Sequence, residues 1–309
     1  MQQFTFLFPG QGSQKIGMGK DFVENSPMAK ELVEAASDRL HVDFQKLLFE
    51  ENDLINQTQY TQPAILLVST IAHALFRSSC DQKPKYTLGH SLGEFSALVA
   101  SGALDPIDAV ELVHMRGKFM QEAAKEADGG MMVVMGLEDA VVEAICEEAR
   151  SQGKRVWPAN YNSDGQIVVA GIKADLNAVA PLFKEKGAKR ALLLNMSVAS
   201  HCPLMEPARE PLREYLEKFI RNAFEVPVVA NVDAKPYNTK TEAIRKLDEQ
   251  LVKPVLYKQS IKSIENENDL FIELGEGCVL SGINRRVTKV PTLCIKDMKS
   301  LEETLQKLS

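Results

Sequence analysis

Apolar residues in this chain gather in short runs at some segments and recur every three to four residues at others, and the two patterns alternate. Phe4 to Phe8 is a short apolar run that predicts a strand. It leads into Pro9-Gly10-Gln11-Gly12-Ser13-Gln14, a Gly-rich turn. Helices are predicted to open at Ser26-Pro27, where Ser caps and Pro takes the first helical position, and at Gln62-Pro63. Tyr86-Thr87-Leu88 is β-prone. Glu94 to Ala100 is helix-prone and ends at Ser101-Gly102, where Gly suits a left-handed C-cap. A further helix opens at Asp105-Pro106 and runs to about Glu126, and Asp128-Gly129-Gly130 breaks the pattern.

The next stretch has an order of its own. Met131 to Met135 predicts a strand and Leu137 to Arg150 a helix, apolar at Val141, Val142, Ile145 and Ala149. Val156 to Asn160 and Gln166 to Ala170 predict two strands joined by a hairpin-type turn, Asn162-Ser163-Asp164-Gly165. Ala174 to Lys186 is a helix ended by Gly187, and Ala191 to Leu194 a fourth strand. The order βαββαβ is that of a ferredoxin-like module. Alternation resumes afterwards, with strands at Val226–Ala230, Leu270–Leu274 and Thr292–Ile295. Helices are expected near Pro203–Arg221, Thr241–Leu251, Val279–Arg286 and Leu301–Leu308. The pattern therefore predicts an α/β domain made of residues 1–128 and 197–309, with residues 129–196 inserted as a small subdomain.

Composition narrows the function classes. The 309 residues exceed one typical domain, and 45% hydrophobic content is enough for a sizeable core. A net charge of −6 argues against a general nucleic-acid binder. The most apolar helix, from Pro63 to Phe76, is interrupted by Ser69, Thr70 and His73 and is too short to span a bilayer. The N-terminus has no charged segment followed by a long apolar stretch, so no signal peptide is expected. Five cysteines are irregularly spaced without a CxxC pair, which suggests reduced thiols in a cytoplasmic protein and no zinc site or disulfide framework.

Chemistry enters at Gly89-His90-Ser91-Leu92-Gly93. Strand, sharp turn and helix are the setting of a G-x-S-x-G nucleophile elbow. Gly89 and Gly93 lack the Cβ atoms that would clash as the turn tightens. Ser91 is then held strained at a helix N-terminus, where the N–H of Leu92 favours an oxyanion.

A serine nucleophile needs a base, and there are five histidines. His90 adjoins Ser91 and should support the elbow. His73 lies in an apolar helix, His41 in a polar connection, and His114 on a helix side shared with Val110 and Lys118. His201, in an irregular segment just before a helix, is the favoured base. Cys202 is a competing nucleophile without an elbow. Arg116 falls within the apolar stripe of Ala109, Leu112, Val113, Phe119 and Met120. A guanidinium there carries a desolvation cost unless an anion pairs with it. A structural carboxylate or a snorkelling stem would answer that cost. So would a substrate carboxylate, which the planar fork binds bidentately.

Taken together the residues resemble the malonyl-CoA:acyl carrier protein transacylases of fatty acid synthesis, over essentially the whole chain. The matching segments are Phe8-Pro9-Gly10-Gln11-Gly12-Ser13-Gln14, Tyr60-Thr61-Gln62-Pro63-Ala64, the elbow through Leu98, and Arg116 to Gln121. Further matches are Asn162 with Gln166 to Gly171, Ser200-His201, Asn231-Val232, Gln250 with Pro254-Val255, and Gly275 with Gly277, Val279 and Leu280. Two positions depart from the family pattern. Gly275-Glu276-Gly277-Cys278 stands where Gly-Pro-Gly-Lys is usual, and Tyr257 where Trp is usual. The first puts in question a local positive charge and any carrier contact that depends on it.

The resemblance implies an α/β-hydrolase-like large domain with a ferredoxin-like insert. It implies Ser91 as nucleophile and His201 as base, with the backbone carbonyl of Gln250 orienting the histidine in place of a triad acid. Gln11 and Leu92 would supply the oxyanion-hole N–H groups, Arg116 would clamp the malonyl carboxylate, and Gln62 and Asn162 are expected near the pocket. Malonyl-CoA and acyl carrier protein are the implied partners, to a cytoplasmic monomer that needs no metal or bound cofactor and contacts neither membrane nor nucleic acid. An acyltransferase for another dicarboxylic group such as methylmalonyl, and a serine hydrolase, are the alternatives. A hydrolase has no reason to place Arg in its acyl pocket.

Overall fold

Two separate sheets form from this pattern, and a cavity lies between them. The structure is a computed structural model describing residues 2–125, 127–196 and 198–308. Along the chain the strands are β1 (Phe4–Phe8), β2 (Tyr86–Gly89), β3 (Gly129–Met135), β4 (Val156–Ser163) and β5 (Gln166–Ile172). They continue as β6 (Arg190–Leu193), β7 (Val228–Val229), β8 (Pro236–Tyr237), β9 (Leu270–Leu274) and β10 (Thr292–Ile295). The larger sheet runs β10-β9-β1-β2-β7-β8, parallel throughout except for β8, which is antiparallel to β7. Every residue of β1 is buried, as expected of a central parallel strand covered on both faces. The smaller sheet is antiparallel with order β4-β5-β3-β6, the arrangement that βαββαβ connectivity gives in a ferredoxin-like module. It has its own core around Met132, Val142, Val169, Leu176 and Phe183.

The two parts are sewn together on one side. Tyr161 N–H donates to Val255 O at 2.9 Å and Val255 N–H to Ala159 O at 2.8 Å, so β4 borrows the segment after Gln250 as a partial neighbour. Lys258 reaches across to Asp139 and Asp164.

Several elements differ from expectation. The helix expected at Gln62-Pro63 already opens at Thr58 and runs to Ser79, with Pro63 inside it. Pro63 has no N–H for the carbonyl of Gln59, and His114 Nδ1 takes that carbonyl instead at 2.8 Å. The expected four-residue turn narrows to Asp164-Gly165, because β4 extends to Ser163; Gly165 takes the left-handed position, φ 69°. The helix expected over Pro203–Arg221 divides at Pro207 into a 3-10 segment, Pro203–Ala208, and an α-helix, Arg209–Phe219. The expected strand at Val226–Ala230 is only Val228–Val229. Helices Lys20–Asn25, Phe44–Phe49 and Tyr257–Ile264 were not foreseen. The expected helix end at Glu126 and domain boundary at Ser197 fall outside the described residues.

The cysteine expectation is corrected. Cys278 and Cys294, 16 residues apart, form a disulfide with a Cα separation of 5.7 Å. Parallel pairing of β9 with β10 brings Cys294 level with Glu273, and the turn after β9 returns Cys278 to it. Cys80, Cys146 and Cys202 are free thiols. No helix among the described residues is long and apolar enough to cross a membrane.

His73 packs edge-on against Phe6, ring centroids 5.5 Å apart. Burial, assisted by the charge of Arg77, pushes its pKa down to about 4. The unfolded chain takes up that proton near pH 6.5 and the folded chain does not, so acid favours unfolding between those limits. His73→Phe should narrow the stability difference between pH 7.5 and pH 5.5 by up to about 1 kcal/mol. Urea unfolding of both proteins at the two pH values checks this, and an unchanged difference refutes it.

Candidate active site

The elbow is built by close backbone approach. A Cβ on Gly89 would lie 1.8 Å from the carbonyl carbon of Gly93, and one on Gly93 would lie 2.0 Å from the carbonyl oxygen of Phe8. With both positions bare, the helix Gly93–Ala100 starts directly over the ends of β1 and β2. Between them Ser91 adopts φ 55°, a left-handed conformation rare for a side chain with Cβ. Both of its backbone groups are held by side chains. Its N–H donates to Asn231 Oδ1 at 2.7 Å, and its carbonyl accepts from Gln250 Nε2 at 3.1 Å.

His201 meets the serine from the other side. Its φ of 61° is left-handed too, and its Nε2 lies 2.7 Å from Ser91 Oγ. Nδ1 lies 2.7 Å from the backbone carbonyl of Gln250. A carbonyl only accepts, so Nδ1 carries the proton and Nε2 is left as the acceptor facing Ser91 Oγ. Burial, then the charge of Arg116, pushes the pKa of His201 down to about 3. The imidazole is therefore neutral at neutral pH, with the Nε2 lone pair turned to Ser91 Oγ.

Arg116 is 1% exposed, at the centre of the stripe seen in the sequence. Its Nη1 donates to Gln62 Oε1 at 2.8 Å, and its Nη2 reaches Gln250 Oε1 at 3.0 Å and Ser91 Oγ at 3.3 Å. The guanidinium lies over the Phe95 ring, 5.2 Å from its centroid. Its buried Nε has no partner. Among the described residues no carboxylate pairs with it directly; Glu94 is the anion whose charge it feels, with the Gln250 amide between them. Burial lowers its pKa only to about 10, so it stays charged. Neither a structural ion pair nor a snorkelling stem accounts for this arginine.

These groups share a cavity of about 270 Å³, with the apolar side chains of Met120, Met131, Val133 and Val168 on its walls. Gln11 and Leu92 line it, and among the described residues neither backbone N–H donates to another protein group. Two free donors beside a nucleophile are what a developing oxyanion needs. Asn162 also lines the cavity and lies 2.8 Å from His90 Nε2, which fixes the ring next to the elbow. Gln62 does not line it; it stands behind Arg116. The helix Val279–Asn284 contributes Val279, Leu280 and Ile283, held by buried Glu273, which accepts the N–H groups of Leu280 and Ser281 at 3.0 and 2.7 Å. Cys202 is no rival nucleophile, because burial pushes its thiol up to about 12 and its Sγ is turned to Ala199 O. Of the remaining histidines, His41 is exposed and capping a helix, and His114 is tied to Gln59.

Two residues here lie in the matching segments but were given no role by the sequence reading. Asn231 anchors the elbow from both ends, since its Nδ2 also donates to Gly89 O at 2.7 Å. Glu94 is buried beneath the site at 1% exposure. A lone carboxylate in the otherwise uncharged helix Gly93–Ala100 was the available signal for it.

Comparison with known proteins places the chain as a whole. A family model described as acyl transferase domain matches residues 5–300. The chain is similar to the malonyl CoA-acyl carrier protein transacylase of Escherichia coli K12, 43% identical over 295 residues, covering 94% of this chain and 95% of that protein. It is 40% identical to the Bacillus subtilis transacylase of the same name, covering 100% and 98%. Among solved structures, the malonyl-CoA:acyl carrier protein transacylase of Helicobacter pylori superposes with a TM-score of 0.97 at 47% identity, covering 100% and 99% of the two chains. A malonyl-transacylase solved in complex with its type II PKS acyl-carrier protein superposes with a TM-score of 0.95 at 37% identity, covering 99% of each chain.

The geometry fits His201 for the proposed role of base to Ser91. His201→Ala is expected to slow acylation by malonyl-CoA roughly 10²–10⁴-fold while the protein stays folded. Single-turnover acylation, followed by intact mass, checks this. Near wild-type acylation in folded His201→Ala, with loss in His90→Ala, would move the role to His90.

Proposed function

This chain belongs to the acyl transferase domain family, and on that premise we propose that it moves malonyl from malonyl-CoA to the phosphopantetheine thiol of acyl carrier protein for fatty acid synthesis. Ser91 Oγ attacks the thioester carbonyl while His201 Nε2 takes its proton. The tetrahedral oxyanion is received by the N–H groups of Gln11 and Leu92. His201 returns the proton to the CoA sulfur as the carbon–sulfur bond breaks, leaving malonyl on Ser91. The carrier thiol then attacks the malonyl-serine, His201 takes the thiol proton, and Ser91 recovers it on release. The Gln250 carbonyl holds the imidazole in one tautomer throughout without adding a charge. The reading requires no metal or organic cofactor, and takes the protein to be a cytoplasmic monomer with residues 129–196 as a small subdomain over the site.

One observation carries this reading. A buried guanidinium that pairs with no carboxylate among the described residues stands 3.3 Å from Ser91 Oγ. Malonyl places its free carboxylate one methylene from the carbonyl under attack, so a cation beside Ser91 suits a short acid-ended acyl group. That carboxylate would supply the anion the buried arginine lacks.

The experiment is incubation with malonyl-CoA, intact mass and peptide mapping. The adduct is expected on Ser91 and absent from Ser91→Ala; an adduct that persists in the variant overturns the assignment. Selectivity tests Arg116. Leaving the malonyl carboxylate unpaired costs roughly 3–5 kcal/mol, so Arg116→Ala should lose malonyl transfer by orders of magnitude. Transfer from acetyl-CoA should suffer far less, and Arg116→Lys should recover only part of the activity. Equal losses in kcat/KM for both substrates, with a lower Tm, would instead assign Arg116 to structure.

A further inference from the structure

Glu94 lies in the first turn of the elbow helix, and three groups donate to its carboxylate. Oε2 accepts from Gln250 Nε2 at 2.8 Å and from the backbone N–H of Asn231 at 3.1 Å. Oε1 accepts from Tyr237 Oη at 3.0 Å. Two of these partners lead straight to the reacting groups. Asn231 holds the Ser91 N–H and the Gly89 carbonyl. Gln250 holds the Ser91 carbonyl with Nε2 and Arg116 with Oε1. Both residues that support the left-handed serine therefore rest on one carboxylate, Gln250 through its side-chain amide and Asn231 through its backbone N–H, and Glu94 does not line the cavity.

The Gln250 amide has a direction, and Glu94 sets it. The amide's NH₂ end faces Glu94 Oε2, the oxygen that also accepts the Asn231 backbone N–H. Its oxygen then faces Arg116, which only donates. A reversed amide would set NH₂ against guanidinium and oxygen against carboxylate, leaving both buried ends unpaired.

We propose that Glu94 is a positioning residue for acyl selectivity: through Gln250 and Asn231 it fixes the guanidinium of Arg116 relative to Ser91. This rests on the malonyl reading of the site given above. Hydrogen-bonding reach carries the effect, because each side-chain hydrogen bond of Glu94 comes from a donor to one of its two oxygens. Glutamine can satisfy the same set. Its Oε1 accepts from Gln250 and Asn231, and its Nε2 donates to the Tyr237 hydroxyl, which also accepts. Aspartate keeps the charge but falls one methylene short of all three donors.

The test compares Glu94→Gln and Glu94→Asp with the wild-type chain, reading kcat/KM for malonyl-CoA and acetyl-CoA and the Tm of each protein. The malonyl-over-acetyl ratio is expected to fall about tenfold or more in Glu94→Asp, the scale of one lost hydrogen bond to a charged group. In Glu94→Gln it should stay within about threefold of wild type. A merely structural Glu94 lowers Tm and leaves the ratio unmoved in both variants, which overturns the proposal. So does a ratio that survives in Glu94→Asp and collapses in Glu94→Gln, which would make charge the agent. Should Glu94→Asp not fold, Gln250→Met removes the amide alone and must shift the ratio in the same direction; an unchanged ratio there overturns the proposal equally. Failure of the underlying reading looks different, because the wild-type chain itself would then form no malonyl adduct on Ser91.

Discussion

The site depends on a distance too short for a methyl group. Gly89 and Gly93 let the end of β2 and the start of the next helix approach until no Cβ fits between them, and Gly93 also lies against the Phe8 carbonyl at the end of β1. Two strands and a helix thus converge on the turn that carries Ser91. The left-handed backbone of Ser91 costs on the order of 1–3 kcal/mol, and it persists because the surroundings over-determine it. The contacts that do so are visible: Asn231 and Gln250 hold its two backbone groups, and the helix after it cannot move without colliding with β1.

Electrostatics supply the second layer. The centre of the site holds one permanent cation, one neutral imidazole and one deep carboxylate. Burial works on them in different directions. It keeps His201 unprotonated and raises Glu94 to about 7, while Arg116, starting from a far higher value, keeps its charge. The imidazole thereby stays neutral beside a guanidinium that stays charged. A carboxylate orienting His201 would favour its protonation; a carbonyl does so less.

Much of this could be read from residue types. The elbow was legible because two glycines at fixed spacing lay between a strand-prone and a helix-prone segment. Arg116 stood out because a charge interrupted an apolar stripe, and His201 because the other histidines fell on elements with better uses for them. The βαββαβ order followed from alternating periods. What remained hidden was mostly pairwise and long-range. The Gln250 carbonyl belongs to the backbone, which every residue shares, so only the family resemblance pointed to it. Glu94 looked like one more helix residue until Asn231 and Gln250 were folded onto it. The helix opening at Thr58 was missed because Pro63 normally marks a first turn, and nothing local revealed that His114 would occupy the Gln59 carbonyl. Cys278 and Cys294 gave no spacing signal because parallel pairing of β9 and β10 brings them together.

A histidine oriented by a main-chain oxygen has a consequence for heredity. A triad acid can be lost by a single base change, but any amino acid placed at position 250 still presents a carbonyl. The orienting group is therefore shielded from point mutation and can be removed only by moving the backbone itself. Of the proposed serine, histidine and carbonyl, a substitution scan would report only the first two. Position 250 would tolerate or reject side chains according to their fit with Arg116 and Glu94, and would stay silent about the histidine it holds in place.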